Sequence, residues 1–88
     1  MKRVLIAEDE QTIREFIVIN LQRSGYETWE AGSGQEALDI YAQQNGQFDV
    51  AVLDIMMPGE KDGLAVCREL RQQNPALGIV MLTARTQE

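Results

Sequence analysis

Three short runs of apolar residues, at positions 4–7, 50–53 and 79–82, constrain the fold of this chain more than any other feature. No polar residue interrupts these runs, which is typical of strands that are covered on both faces. Segments in which apolar residues recur with helical spacing separate the runs along the chain. Because buried strands and helices alternate, the pattern predicts an α/β fold with a parallel sheet and right-handed crossovers.

The helical segments have recognisable starts and stops. Ser24-Gly25 ends the first helix, and Ser33 with Glu36 forms a capping box at the start of the second. The third helix starts near Gly63 and is stopped by Asn74-Pro75. The apolar residues predicted to face inward are Ile13, Phe16, Ile17 and Leu21, then Ala37, Leu38, Tyr41 and Ala42, and finally Leu64, Cys67 and Leu70.

A fourth strand candidate, residues 26–30, has a different pattern. Here Tyr26, Thr28 and Glu30 alternate with the remaining residues, so one side of the strand differs from the other. Such a strand belongs at the edge of an otherwise buried sheet. The first and third strands in the chain are then neighbours, the predicted strand order is 2-1-3-4, and the connection reverses direction between strands 1 and 3. Ligands of open α/β sheets bind at such a switch point.

Polar residues end the three apolar runs. Glu8 and Asp9 follow the first run, Asp54 follows the second, and Thr83-Ala84 follows the third. The carboxyl ends of parallel strands meet at one edge of the sheet, so the three acids are expected to lie together. Clustered carboxylates repel one another unless a divalent cation lies among them. The arrangement therefore points to metal-dependent chemistry on a phosphate.

The composition excludes several classes of function. The chain has 88 residues and a formal charge of −6, with 14 acidic against 8 basic residues, so a nucleic-acid or anionic-membrane surface is a poor partner. It has no His and a single Cys, Cys67, which excludes imidazole catalysis, an internal disulfide and a Cys-rich zinc site. No apolar run approaches the roughly 20 residues that span a bilayer, and the expected location is the cytoplasm.

Four segments together form a specific set of motifs: Val-Leu-Ile-Ala-Glu-Asp-Glu at 4–10, Val-Leu-Asp-Ile-Met-Met-Pro-Gly at 52–59, Asp-Gly-Leu at 62–64 and Val-Met-Leu-Thr-Ala at 80–84. With these motifs the chain resembles the receiver domain of bacterial two-component response regulators. The resemblance spans residues 1–88 as one domain and implies a flavodoxin-like, doubly wound sheet. It covers four of the family's five βα units, so the fifth unit is expected to be lacking.

The resemblance implies a role for each residue of the site. Asp54 would be the phosphoacceptor. Mg²⁺ would bind directly to Asp9, Asp54 and the backbone carbonyl of Met56, and mostly through water to Glu8. Carboxylates with a few other oxygen ligands are what Mg²⁺ prefers. The resemblance also implies that Thr83 contacts the phosphoryl group and acts as the switch.

The resemblance implies partners as well. Ala84 would leave room for the phosphoryl group that a sensor histidine kinase donates, and DNA would be bound only through a C-terminal output domain outside this chain. The family's conserved Lys lies on the fifth strand, and neither Lys61 nor Arg85 is assigned its role. The loop at 58–63, Pro-Gly-Glu-Lys-Asp-Gly, is one residue longer than the family's usual Pro-Gly-x-Asp-Gly.

Two other functions compete with phosphoryl signalling. The first is a Mg²⁺-dependent phosphohydrolase with Asp54 as nucleophile. Haloacid-dehalogenase-type enzymes carry a second Asp two residues later, where this chain has Met56, so the expectation is that the chain is not an enzyme. The second is an interaction fragment that forms a homodimer through the exposed fourth strand or through the face that the missing helix would cover.

Overall fold

The computed structural model describes residues 1–82, which form four strands and three helices in strict alternation. The strands are β1 (Arg3–Ala7), β2 (Glu27–Ala31), β3 (Val50–Asp54) and β4 (Gly78–Leu82), and the helices are α1 (Gln11–Arg23), α2 (Gly34–Gln43) and α3 (Gly63–Gln73). All paired strands are parallel, in the order β2-β1-β3-β4. The predicted fold class and strand order are confirmed, and the described residues contain no fifth strand.

The central strand β1 is buried on both faces. Leu5 packs into a core formed with α2 and α3, whereas its neighbour Ile6 packs into a second core formed with α1. Both side chains are fully buried, because successive residues of a strand point to opposite faces and helices cover each face. This two-sided cover explains why the run at 4–7 has no polar position.

Helix α1 faces the sheet with only part of the apolar stripe that the spacing predicts: Ile17 and Leu21 face inward as predicted, and Ile13 and Phe16 do not. Val18 is the buried residue of the helix, and Ile17 and Leu21 pack partly against the same core. Phe16, predicted to face inward, is 70% exposed, and Ile13 is also exposed. Apolar residues lie nearly all round this helix, so the sequence allows several inward faces, and packing on β1 selects one of them.

The predicted inward faces of α2 and α3 are correct for their central residues. Ala37, Tyr41 and Leu70 are buried. Leu64 is exposed and Val66 is buried in its place, contrary to the prediction. The two residues are two positions apart and therefore lie on opposite sides of the helix, and Val66 shares the sheet-facing side with Leu70, four positions later. Ala42 of α2 is also exposed.

Strand β4 forms one edge of the sheet within the described part of the chain. It pairs with β3 from Val50↔Gly78 to Asp54↔Leu82. Val80 belongs to an uninterrupted apolar run but is 50% exposed. The core under α1 contains residues of β1 and β3 and does not include Val80. None of the helices within residues 1–82 is long and apolar enough to cross a lipid bilayer.

Candidate metal centre

Three acids meet at the carboxyl edge of the sheet. In the β1–β3 ladder Ala7 pairs with Leu53, so the residues that follow, Glu8 and Asp54, lie side by side. One carboxylate oxygen from each of Glu8, Asp9 and Asp54 lies within 4.8 Å of the other two. The predicted proximity of these acids is confirmed, and it follows because β1 and β3 are adjacent parallel strands whose carboxyl ends lie at the same edge of the sheet.

Glu8 is the most buried residue of this cluster, at 4% exposure. Its Oε2 accepts a hydrogen bond from the Glu10 backbone N at 3.0 Å. Arg14 Nη1 donates to the Glu8 carbonyl oxygen at 2.7 Å, and the Glu8 N donates to the Ala31 carbonyl at 3.0 Å. The main chain is thus held on two sides while the carboxylate is kept out of water.

Burial raises the pKa of the Glu8 carboxyl above its ordinary value, and the negative charge of Asp54 raises it further. The hydrogen bond from Glu10 N acts in the opposite direction because it favours the charged form. Removing a carboxylate from water without a cation is costly, so the folded chain holds the Glu8 proton to higher pH than the unfolded chain does.

In a chelator, we expect the free energy of unfolding to fall as pH rises from the ordinary range of a glutamic acid through the raised pKa of Glu8. The sign follows because the native state binds more protons than the unfolded state in that window. Glu8→Gln should remove this part of the pH dependence, whereas Glu27→Gln, at an exposed position, should leave it. Chemical denaturation at a series of pH values checks the prediction. Equal pH slopes in wild type and Glu8→Gln would contradict it.

Asp54 is half-buried at the end of β3, where its side chain and backbone have separate partners. Its Oδ1 accepts a hydrogen bond from the Met56 backbone N at 3.3 Å, while the Met56 side chain is 67% exposed. Gly63 packs so closely on the Asp54 main chain that an added Cβ would collide with the carbonyl oxygen and lie 2.7 Å from the carbonyl carbon. The end of β3 is therefore clamped by the first residue of α3.

The acids open into a cleft with room for a small ligand. The cleft has a volume of about 420 Å³ and is lined by Glu8, Asp9, Glu10, Ile13, Ile17, Asp54 and Leu82. No Lys or Arg within residues 1–82 forms an ion pair with Glu8, Asp9 or Asp54. Three clustered carboxylates that no Lys or Arg of the described residues neutralises are hard oxygen donors that suit a divalent cation of the Mg²⁺ class. The donor set therefore fits a divalent metal site.

Sequence reasoning missed some residues that shape this site. Glu10 caps α1, since its Oε1 accepts from the backbone N of Thr12 and Ile13 at 3.1 and 3.3 Å. Arg14 and Gly63 also shape the site. Of these three residues only Glu10 has a signal in the sequence, a carboxylate side chain immediately before a helical stripe. Thr83 and Ala84, predicted to contact the phosphoryl group, lie outside the described residues.

Comparison with known sequences identifies the family. The family of response regulator receiver domains matches residues 4–88. The alkaline phosphatase synthesis transcriptional regulatory protein PhoP of Bacillus subtilis (strain 168) is 41% identical over 87 residues, which make up 99% of this chain and 35% of PhoP. The chain thus spans about a third of the length of this curated relative.

Solved structures agree with the sequence match. The response regulator TrrA of Thermotoga maritima, solved in complex with Mg²⁺-BeF, is 42% identical, with a TM-score of 0.87 over 98% of this chain and 72% of TrrA. TrrA solved in complex with the histidine kinase ThkA gives 41% identity and a TM-score of 0.85 over 99% of this chain and 72% of TrrA. The strand order, the acidic edge and these matches show that the chain belongs to the family of response regulator receiver domains of two-component signal transduction.

Proposed function

We propose that this receiver accepts a phosphoryl group on Asp54 from a phosphohistidine of a sensor histidine kinase. The observation that carries the proposal is the carboxylate cluster that lines an open cleft, with Asp54 at the end of β3. A relative of 41% identity has been solved with a histidine kinase, which supports a kinase as the partner.

In the proposed transfer, a carboxylate oxygen of Asp54 forms a bond to phosphorus as the bond from phosphorus to the imidazole nitrogen breaks. The electron pair of that bond stays on the nitrogen, and the product is an acyl phosphate. The groups that would hold Mg²⁺ are the side chains of Glu8, Asp9 and Asp54 and the Met56 carbonyl. The metal would neutralise the negative charge of the incoming phosphoryl group. The complex of TrrA with Mg²⁺-BeF supports the choice of metal.

The chain's proposed output follows from the same resemblance. Thr83 would hydrogen-bond the phosphoryl group, and Ala84 would leave space for it. The contact of Thr83 with the phosphoryl group would act as the switch that controls a DNA-binding output domain, as in a transcriptional regulator. The name of PhoP describes a protein of this kind. The proposed location is the cytoplasm.

We also propose that the chain does not turn over phosphate esters as an enzyme. A phosphohydrolase with an Asp nucleophile needs a nearby acid to protonate its leaving group. The residue two positions after Asp54 is Met56, whose exposed thioether has no proton to give. Slow hydrolysis of an acyl phosphate on Asp54 needs no such acid and is compatible with a signalling role.

The test of the proposed function is labelling by a small acyl phosphate in the presence of Mg²⁺, followed by intact mass measurement and peptide mapping. The expected product carries one phosphoryl group on Asp54, and a chelator prevents its formation. A label on another residue, or none after prolonged incubation with Mg²⁺, would contradict the proposal.

We expect Mg²⁺ to stabilise the folded chain, because it binds the native acid cluster and relieves repulsion that the unfolded chain lacks. At a free concentration tenfold above its Kd the gain is about 1.4 kcal/mol. For a domain of this size that gain raises Tm by roughly 6–10 °C. Thermal unfolding with Mg²⁺ or a chelator measures it, and Asp9→Asn should lose most of the increase. A wild-type Tm that does not respond to millimolar Mg²⁺ would rule out the metal site.

A homodimer is the second candidate. The exposed apolar side chains of Ile13, Phe16 and Val80 favour it, because apolar surface of this kind is suited to association. Its signature is a molecular mass that increases with protein concentration in analytical ultracentrifugation, and a monomer at high concentration would exclude it.

A further inference from the structure

The start of α2 touches the loop that leaves Asp54. Gly34, the first residue of α2, is buried, and an added Cβ would collide with the Lys61 carbonyl oxygen and lie 2.9 Å from the carbonyl carbon. Residue 34 is not among the glycines with a left-handed backbone, so its conformation is open to any residue. Alanine would also favour the helix. The absence of a side chain is therefore explained by the close approach of the loop.

The loop is held at several points besides Gly34. At its far end, the Gly63 N donates to the Ile55 carbonyl at 3.0 Å, and Asp62 Oδ1 caps α3 by accepting from the Ala65 N at 2.9 Å. Between them, Lys61 Nζ forms an ion pair with Glu69 of α3. Although the loop is one residue longer than the family pattern, it thus closes on α3 and rests on α2.

We infer that Gly34 is a positioning residue for the metal site, acting through the loop that carries Met56. A Cβ at position 34 would push Lys61 away from α2. Gly63 already lies against the Asp54 main chain, so the segment cannot shift at that end. The displacement must be absorbed between residues 55 and 61, which moves the Met56 backbone relative to Asp54. This inference rests on the proposed function for the identity of the metal, whereas the contact between loop and helix stands independently.

The test compares Gly34→Ala with Gly32→Ala by amide NMR, first in a chelator and then in a Mg²⁺ titration. Gly32 is a matched control, because its added Cβ would meet only Arg14 Nη1 at 3.4 Å and Glu36 Oε1 at 3.6 Å, which are ordinary contacts. In the chelator, Gly34→Ala should shift the amides of residues 55–61 and Gly32→Ala should not. In the titration, Gly34→Ala should raise the Mg²⁺ Kd roughly tenfold, the lower end of the loss expected for a residue that orients a metal ligand. Gly32→Ala should leave the Kd close to that of wild type.

Each result has a definite meaning. Unshifted loop amides in a folded Gly34→Ala variant, or an unchanged Mg²⁺ Kd beside a wild type that binds, would overturn the role of Gly34. A wild type that does not bind Mg²⁺ would overturn the proposed metal site, while the amide shifts in the chelator would still decide whether Gly34 positions the loop. If Gly34→Ala fails to fold, the double variant Gly34→Ala/Lys61→Gly takes its place, because it removes the Lys61 Cβ, which lies 2.8 Å from the added Cβ, and keeps the collision with the Lys61 carbonyl. Loop amides and a Kd identical to wild type in that variant would then overturn the inference.

Discussion

Asp54→Asn will abolish labelling of the chain by an acyl phosphate, lowering it to the background level. A carboxamide has no anionic oxygen to form the bond to phosphorus, so the nucleophile is lost while the shape of the side chain is kept. The hydrogen bond from Met56 N to Oδ1 can persist, because an amide oxygen accepts in the same way. The loss of labelling should therefore occur in a folded protein.

The same variant has a second signature that a loss of folding would not produce. Removing one negative charge from beside Glu8 lowers the pKa of that carboxyl toward its ordinary value and relieves repulsion. In a chelator, Asp54→Asn should be at least as stable as wild type, and it should gain less stability from Mg²⁺. Asp39→Asn, on the exposed surface of α2, is the control and should label normally. Undiminished labelling of Asp54→Asn would place the phosphoacceptor elsewhere.

Gly63→Ala should destabilise the chain by about 3 kcal/mol or more, at the upper end of the cost of overpacking. The added Cβ would lie 2.7 Å from the Asp54 carbonyl carbon and 2.8 Å from the Ile55 Cα, and these are backbone atoms that no rotamer change can move. Either the end of β3 or the start of α3 must shift. Urea denaturation with a chelator present measures the loss.

A second glycine in the same loop separates crowding from backbone conformation. Gly59 has a φ of 97° and nothing within 4 Å of an added Cβ. Gly59→Ala should therefore lower the free energy of unfolding by only about 1–2 kcal/mol, which is the cost of a left-handed backbone for a residue with a side chain. A Gly63→Ala variant no less stable than Gly59→Ala would show that the close approach to Asp54 carries little energy.

The inward faces of the helices show where prediction from sequence succeeds and where it fails. The burial of Tyr41 and Leu70 was predictable because polar residues border their apolar stripes and leave one inward side. The burial of Val18 was not, because α1 has apolar residues on most of its circumference and nothing local distinguishes Phe16 from Val18. The outcome depends on which strands the helix crosses, and that is a property of the assembled sheet.

The sequence by itself determined the class of the fold, the strand order and the meeting of Glu8, Asp9 and Asp54. A strand that is buried on both faces has an uninterrupted apolar run, and an edge strand has alternating apolar and polar residues. The spacing of apolar residues along the chain therefore indicates which strands are central and which lie at an edge. Only the tertiary structure decided that Glu8 is buried and that the main chains of Gly34 and Gly63 bear on the loop after Asp54. These contacts join elements distant in the chain at distances set by packing, where a single methyl group is the difference between contact and collision.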